Sequence, residues 1–189
     1  MAHAVVLARH GETEWSRTLR HTGLTDLPLT EEGRRQATAL GPGLRTSSFS
    51  LVLTSPLQRA LETCRLAGYG DLAQLRPDLV EWDYGGYEGL TSKQIEEIQP
   101  NWSLWRDGCP GGETAADVGR RADRVLAEVR RVDGDVLIFS HGHMLRVLAS
   151  RWLGEPPADG RYYALQTATL STLGYEHDAV IRQWNLPPS

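Results

Sequence analysis

Lysine is almost missing from this chain: of 20 basic residues in 189, only Lys93 is a lysine. The others are arginines, a bias that a GC-rich coding sequence explains, so arginine abundance by itself does not mark a phosphate site. Basic residues are also outnumbered, 20 against 24 acidic, and the net charge of −4 argues against a nucleic-acid partner. Cysteine is scarce. Cys64 and Cys109 form no CxxC pair, which excludes a disulfide framework and a thiolate metal site. No apolar run nears the roughly 18 residues of a membrane span. Residues 1–9 lack the basic start of a signal peptide. A cytoplasmic location without membrane contact is the expectation. Signatures of other phosphate and ester chemistries are missing as well. There is no GxxxxGK[ST] loop, no GxSxG elbow, and neither cysteine has an arginine six positions on.

What is present is ordinary globular composition, 40% hydrophobic and 23% charged. The length fits one domain of roughly 150 residues or somewhat more. No repeat, low-complexity tract or linker divides it, so residues 1–189 read as a single domain. Apolar runs at residues 4–8, 50–54 and 136–139 predict buried strands. Thr30 predicts the cap of a helix ending near Gly41-Pro42-Gly43. Ser55-Pro56 predicts a cap followed by proline at the first position of a helix to about Ala67. Residues 79–81 read as a short extended piece. Helices are expected over residues 91–99, 114–131 and 143–153, and a hairpin or two edge strands over residues 168–175 and 179–184. Alternating strands and helices predict an α/β fold, a three-layer αβα sandwich with a largely parallel sheet.

In such sheets ligands sit beyond the carboxyl ends of the strands. Three expected strands end in polar groups: Arg9-His10-Gly11-Glu12, Thr54-Ser55-Pro56 with Arg59 one turn on, and Ser140-His141-Gly142-His143. The combination fits a phosphate. An arginine fork matches two phosphate oxygens, and helix N-termini add partial positive charge. Glycine after histidine permits close backbone approach to a ligand. A neutral imidazole is a competent nucleophile, and neighbouring arginines favour the neutral form. His141 and His143 also read as a metal-ligand pair, but no third ligand is marked by spacing, so no metal is assigned.

These residues resemble a known family. Arg9-His10-Gly11-Glu12-Thr13 is similar to the RHG(E/Q)(T/S) signature of the histidine phosphatase superfamily, in its phosphoglycerate-mutase-like branch. The resemblance continues, in the family's order, with Thr22-Gly23-Leu24-Thr25-Asp26-Leu27-Pro28-Leu29-Thr30, with Ser55-Pro56-Leu57-Gln58-Arg59-Ala60, with Glu81-Trp82-Asp83-Tyr84-Gly85-Gly86-Tyr87-Glu88-Gly89, and with Ser140-His141-Gly142. It implies that His10 takes the phosphoryl group, that Arg9, Arg59 and His141 surround that group, and that Glu81 is the proton donor and later the base. The apolar flanks Leu79, Val80 and Trp82 suit a carboxyl to holding that proton. Ser16, Thr22, Gly23, Tyr84, Gly142 and His143 fall where the branch meets substrate. Ser16 stands where phosphoglycerate mutases carry asparagine.

Residues 102–113, with Trp102 and Trp105, look like the corresponding stretch of the branch's bacterial acid phosphatases and sedoheptulose-1,7-bisphosphatases, and are expected to form a wall or lid. The chain is short for a mutase between Glu81 and Ser140. Its cations there are Lys93, Arg106, Arg120 and Arg121. The resemblance therefore implies a phosphatase of a small phosphorylated metabolite, a sugar phosphate, with no cofactor. A sugar bisphosphatase, a mutase and a non-catalytic phosphate sensor are the alternatives. The sensor reading is opposed by the full set of His10, Arg59, Glu81 and His141. A homodimer is compatible with the sequence, though no motif marks one.

Overall fold

A computed structural model describes residues 4–188. Residues 1–3, part of the stretch read above for a leader, and Ser189 lie outside the described residues. Strands β1 (Ala4–Arg9), β2 (Phe49–Thr54) and β4 (Asp135–Ser140) form where the apolar runs predict them. A short β3 (Ala73–Leu75) and the hairpin β5 (Leu170–Tyr175) and β6 (Ala179–Leu186) complete a six-stranded sheet in the order β3-β2-β4-β1-β5-β6. The pairs β1–β4, β2–β4 and β2–β3 are parallel; β5 runs antiparallel to both β1 and β6. The sheet is thus mostly parallel.

Side chains alternate across the strands, and the two faces bury different helices. Val5, Leu7, Leu53, Val136 and Ile138 share a cluster with Val118, Val125, Leu145 and Leu148. These last lie on α6 (Ala115–Val129) and α7 (Gly142–Trp152). Ala8, Val52, Leu137 and Phe139 pack on the other side with Leu40, Leu44 and Cys64, from α2 (Glu31–Leu44) and α3 (Gln58–Leu66). Each fully buried leucine or phenylalanine contributes roughly 1.5–3 kcal/mol of transfer free energy. This is the expected three-layer arrangement. Both cysteines are buried and free, and burial pushes each thiol up to about 12, so neither is a nucleophile at neutral pH.

Caps place several helix starts as the sequence predicts. The Thr30 and Thr114 hydroxyls accept from Gly33 and Asp117 N–H, and Thr91 does the same for α4 (Ser92–Ile98). Three expectations change. Helix α2 continues through Pro42, because the Arg45 N–H still reaches the Gly41 carbonyl at 3.1 Å. Helix α3 does not start at Pro56. Ser55 Oγ accepts from Leu57 N–H in a preceding turn, and the cap of the helix is the distant Asp26, whose Oδ1 accepts from Gln58 N–H at 2.8 Å. Residues 79–81 are extended only in part: a 3-10 turn (Pro77–Leu79) takes in Leu79, Val80 is extended, and Glu81 follows in a loop. The one-turn helices α1 (Glu14–Arg17) and α5 (Leu104–Asp107) have no counterpart in the expectations.

Candidate active site

The carboxyl ends of β1, β2 and β4 lie side by side. Arg9 pairs with Ser140 across β1–β4, and Thr54 with Phe139 across β2–β4. The next residues stay in register: His10 N–H donates to the Ser140 carbonyl at 3.1 Å, and Ser55 N–H to Phe139 at 3.0 Å. His10 and His141 therefore meet, ring centroids 5.2 Å apart. Both are buried, His10 only 4% exposed.

Hydrogen bonds fix the tautomer of each ring. His10 Nδ1 lies 2.7 Å from the Gly11 carbonyl, which only accepts; Nδ1 therefore carries the proton and Nε2 presents a lone pair. His141 is the reverse. Its Nδ1 accepts from Arg59 Nε–H at 3.1 Å, so its Nε2–H donates, here to Ser55 Oγ at 2.8 Å. One ring presents a lone pair and its neighbour an N–H.

Burial holds His10 well below the ordinary imidazole range, and the Arg59 and Arg9 charges add to it. The expected repulsion by arginines is present, but desolvation is the larger cause. His141 and His143 are held down in the same way, His141 with Arg59 and His143 with Arg146 as the next cause. The sign for stability follows. These three rings are neutral when folded and bind protons when unfolded below about pH 6.5. Stability is therefore lost as pH falls from about 6.5, by up to about 1.4 kcal/mol per pH unit for each ring. Urea unfolding at pH 7.5 and pH 5.5 checks this; equal stability at the two values contradicts the buried neutral trio.

The two arginines differ. Arg59 is fully buried, and four of its five N–H bonds are already directed within the protein: to His141, to the Thr25 carbonyl at 2.9 Å, and to the Gly23 and Thr22 carbonyls at 2.7 and 3.3 Å. It is less free than an open phosphate fork. It organises the loop at residues 22–25 and sets the His141 tautomer. Arg9 donates through Nη1 to the Leu165 carbonyl, while its buried Nε has no partner. A buried guanidinium N–H without an acceptor is costly.

Glu81 is 4% exposed, yet its surroundings are polar rather than the apolar shell its neighbours predict. Oε1 accepts from Trp82 and Met144 N–H, both at 2.9 Å, and Oε2 from His143 N–H at 3.0 Å. Two of these amides open α7, so the carboxylate caps that helix from outside the chain segment. Arg121 fixes the loop behind it. It forms a two-pronged pair with Glu113 and donates to the carbonyls of Asp78, Val80 and Glu81.

An open cavity of about 330 Å³ brings together Arg9, His10, Ser16, Thr22, Glu81, Tyr84, Gly142 and His143. Arg59 and His141 pack beside His10, away from its open wall. Gly23 is also off the wall. Its N–H donates to Glu88 Oε1 and its carbonyl accepts from Arg59, so neither faces a ligand. Ser16 lines the cavity while its Oγ accepts from Thr13 N–H in a capping box. Tyr84 Oη and His143 Nδ1 share a 2.6 Å hydrogen bond, and burial raises the phenol well above its ordinary range, which keeps it protonated.

The two glycines differ: Gly142 lines the cavity, and Gly11 serves packing. A Cβ on Gly11 would lie 2.3 Å from the Gly33 carbonyl oxygen, so this glycine lets the loop after β1 dock on α2. A Cβ on Gly142 would press on the Arg9 guanidinium at 3.2 Å. His141 and His143 point to different partners, Arg59 and Tyr84. Among the described residues no three His, Cys, Asp or Glu side chains gather as a metal-holding group.

Residues 102–113 line none of the cavity at His10; Trp102 and Trp105 instead wall an adjoining one with His21, Ser92 and His143. Trp102 packs edge-on against His21 and Tyr87, and Trp105 against His143 and Trp82. Glu113 N–H donates to the Asp83 carbonyl, which ties this wall to the Glu81 loop. The cavity also holds Arg20, His21 and Arg146, which the motif reading passes over. Glu88 was visible in the YGGYEG stretch, but its role was not: its Oε1 accepts from Gly23 and Thr25 N–H and shapes the loop that Arg59 grips.

The histidine phosphatase superfamily (branch 1) model matches residues 5–187. The chain is 44% identical over 179 residues to the acid phosphatase of Mycobacterium tuberculosis, covering 93% of this chain and 88% of that protein. It is 35% identical over 181 residues to the sedoheptulose 1,7-bisphosphatase of Saccharomyces cerevisiae, covering 79% of this chain and 67% of that one. The solved structure of an open-reading-frame product from M. tuberculosis superposes with a TM-score of 0.94 at 41% identity, covering 99% of both chains. No helix among the described residues is long and apolar enough to cross a membrane. The paired histidines at the strand ends, the matched family model and the shared fold have one meaning: this chain belongs to branch 1 of the histidine phosphatase superfamily and is a phosphoric monoester hydrolase.

Proposed function

We propose that the protein hydrolyses a small phosphorylated metabolite, a sugar phosphate, through a phosphohistidine on His10, without a metal. The observation that carries this reading is the His10 tautomer. The Gly11 carbonyl holds Nδ1–H, so the Nε2 lone pair is available in the cavity that also contains Arg9 and Glu81.

In the first step His10 Nε2 attacks phosphorus and the P–O bond to the alcohol breaks. Glu81 gives its proton to the departing oxygen. Arg9 stabilises the phosphoryl oxygens; His141, whose Nε2–H rests on Ser55 Oγ, joins it by redirecting that N–H to a phosphoryl oxygen, and Arg59 contributes its charge and holds His141. The imidazolium formed keeps its Nδ1–H on the Gly11 carbonyl. In the second step Glu81, now a carboxylate, takes a proton from water as the water attacks phosphorus. The P–N bond breaks, phosphate leaves and His10 is restored. Positioned cations do here what a metal does elsewhere.

Hydrolysis is favoured over mutase chemistry by the resemblance to the acid phosphatase; of the cations between Glu81 and Ser140, Lys93, Arg106, Arg120 and Arg121, none lines the cavity, although Arg20 and Arg146 do. Arg106 pairs with Asp107, Arg120 with Asp117 and Arg121 with Glu113. The resemblance to the acid phosphatase and the bisphosphatase supports the sugar-phosphate class. The proposed setting is the cytoplasm, with no nucleic-acid or membrane partner; a homodimer remains compatible.

The test of the donor role is Glu81→Gln. An amide keeps the shape but cannot supply the proton, and its NH2 faces a main-chain N–H where Oε2 now accepts from His143. Hydrolysis of an alkyl phosphate falls by about 100-fold or more, while 4-nitrophenyl phosphate, whose leaving group needs little protonation, is slowed much less. Equal slowing of the two esters removes Glu81 from that role.

A further inference from the structure

Positions 121, 124 and 128 of α6 are spaced to share one helix face, and all three carry a charge. Each meets the segment that leads to Glu81. Glu128 pairs with Arg76 at 2.6 and 2.9 Å. Arg124 pairs with the Asp78 carboxylate, also through two bonds, at 2.6 and 2.9 Å. Arg121 reaches furthest along the segment. Its Nη1 donates to the Asp78 and Val80 carbonyls at 2.8 and 2.9 Å, and its Nη2 to the Glu81 carbonyl at 3.2 Å.

Glu113, two residues before α6, holds the other flank of Glu81. Its Oε2 accepts from Asp83 N–H at 2.9 Å while both carboxylate oxygens accept from Arg121, at 2.8 and 2.7 Å. Its main chain adds two bonds of 2.9 Å: the N–H donates to the Asp83 carbonyl, and the carbonyl accepts from Trp82 Nε1–H. Glu81 thus lies between two anchors that are themselves joined.

The pairs on this face differ in weight. The Arg124 side chain is 59% exposed, and solvent screens such a pair. The Arg121 side chain is 11% exposed, so water does not readily replace what it loses. Neither Arg121 nor Glu113 lines the cavity, so neither meets the reacting phosphate. Their effect reaches the chemistry only through the loop. That loop also supplies Trp82 N–H, one of the three amides on the Glu81 carboxylate; the other two belong to α7. A shift of the loop therefore moves the carboxyl relative to α7 and to the cavity. Misplacing a reacting group by about 1 Å costs up to about 100-fold in rate.

We infer that Glu113 and Arg121 are positioning residues for the proton donor: the shielded pair holds residues 78–83 so that the Glu81 carboxyl reaches the departing oxygen, and it serves proton transfer rather than attack by His10. This rests on the reading of Glu81 as the donor.

The test compares kcat/KM for phenyl phosphate and 4-nitrophenyl phosphate, esters of similar shape whose leaving oxygens differ in their need for a proton. Glu113→Gln keeps both main-chain bonds and the side-chain size, but its NH2 faces an Arg121 N–H in either orientation. Arg121→Lys keeps the charge but cannot span three carbonyls and a carboxylate. Each variant slows phenyl phosphate by about fivefold or more and 4-nitrophenyl phosphate by about twofold or less. Arg124→Gln, which removes a screened pair from the same face, leaves the ratio of the two esters unchanged. Should Arg121→Lys fail to fold, Glu113→Gln decides alone. Equal slowing of both esters in folded Glu113→Gln, no slowing of either, or the same split in Arg124→Gln overturns the inference. Glu81→Gln, measured on the same two esters, separates the two readings. If it shows the split and Glu113→Gln does not, only the positioning role falls; if Glu81→Gln slows both esters equally, the donor role falls and the inference with it.

Discussion

His10→Ala leaves a folded protein that has lost turnover of every phosphomonoester, by about four orders of magnitude or more. The loss is expected to be this large because the proposed path has no other route. Arg9, Arg59 and His141 stabilise charge on a phosphoryl group but supply no lone pair in position. The fold should tolerate the change. The His10 ring makes one local hydrogen bond, to the carbonyl of the next residue, and the strand pairing of β1 does not involve it. Steady-state hydrolysis of 4-nitrophenyl phosphate, beside a circular dichroism melt, separates the two effects. Substantial residual activity in a well-folded variant refutes the nucleophile assignment.

Arg59→Ala should damage both chemistry and stability. Losing one preorganised donor of transition-state charge costs about 3 kcal/mol, somewhat more than 100-fold in kcat/KM. Here the loss has a second route, because Arg59 Nε–H also keeps the proton of His141 on Nε2. Without it the ring is free to turn its lone pair towards the phosphoryl oxygens. The stability cost comes from the carbonyls of Thr22, Gly23 and Thr25, which lose their guanidinium partner. Buried acceptors left unpaired cost roughly 1–3 kcal/mol each, so a total of several kcal/mol is expected unless water replaces the guanidinium. Arg59→Lys keeps the charge but cannot reach three carbonyls and an imidazole at once, and it should recover little of either loss. An unchanged kcat/KM in Arg59→Ala takes this residue out of transition-state stabilisation.

Much of this arrangement can be read from the chain, and the reasons are specific. β1, β2 and β4 are short apolar runs buried on both faces, so their composition announces them. His10 and His141 follow the ends of such runs directly, and the parallel register does the rest. β3 is different. It is three residues long, lies at the sheet edge and is half exposed, so no apolar pattern marks it. α1 and α5 are single turns, too short for any hydrophobic period.

Long-range partners were the least visible. The cap of α3 comes from Asp26, 32 positions before Gln58. Gly11 looked like room for a ligand, but the space is filled by the backbone of Gly33. Glu81 was expected among apolar neighbours, and the amides that surround it belong mostly to α7, far along the chain. Arg20 and Arg146 lie outside the signature stretches, one beyond a left-handed turn and one in the second turn of a helix. Local sequence shows what a residue is able to do; it seldom shows which distant backbone group it meets.

The central claim is that the phosphoryl group passes through His10. Rapid mixing with a substrate labelled at its phosphorus, an alkaline quench within milliseconds and tryptic digestion test it directly. Cleavage after Arg9 and Arg17 isolates residues 10–17. The account predicts an acid-labile, alkali-stable label on that peptide, attached to Nε2 of His10. A label on any other residue, or none while the enzyme is turning over, contradicts it.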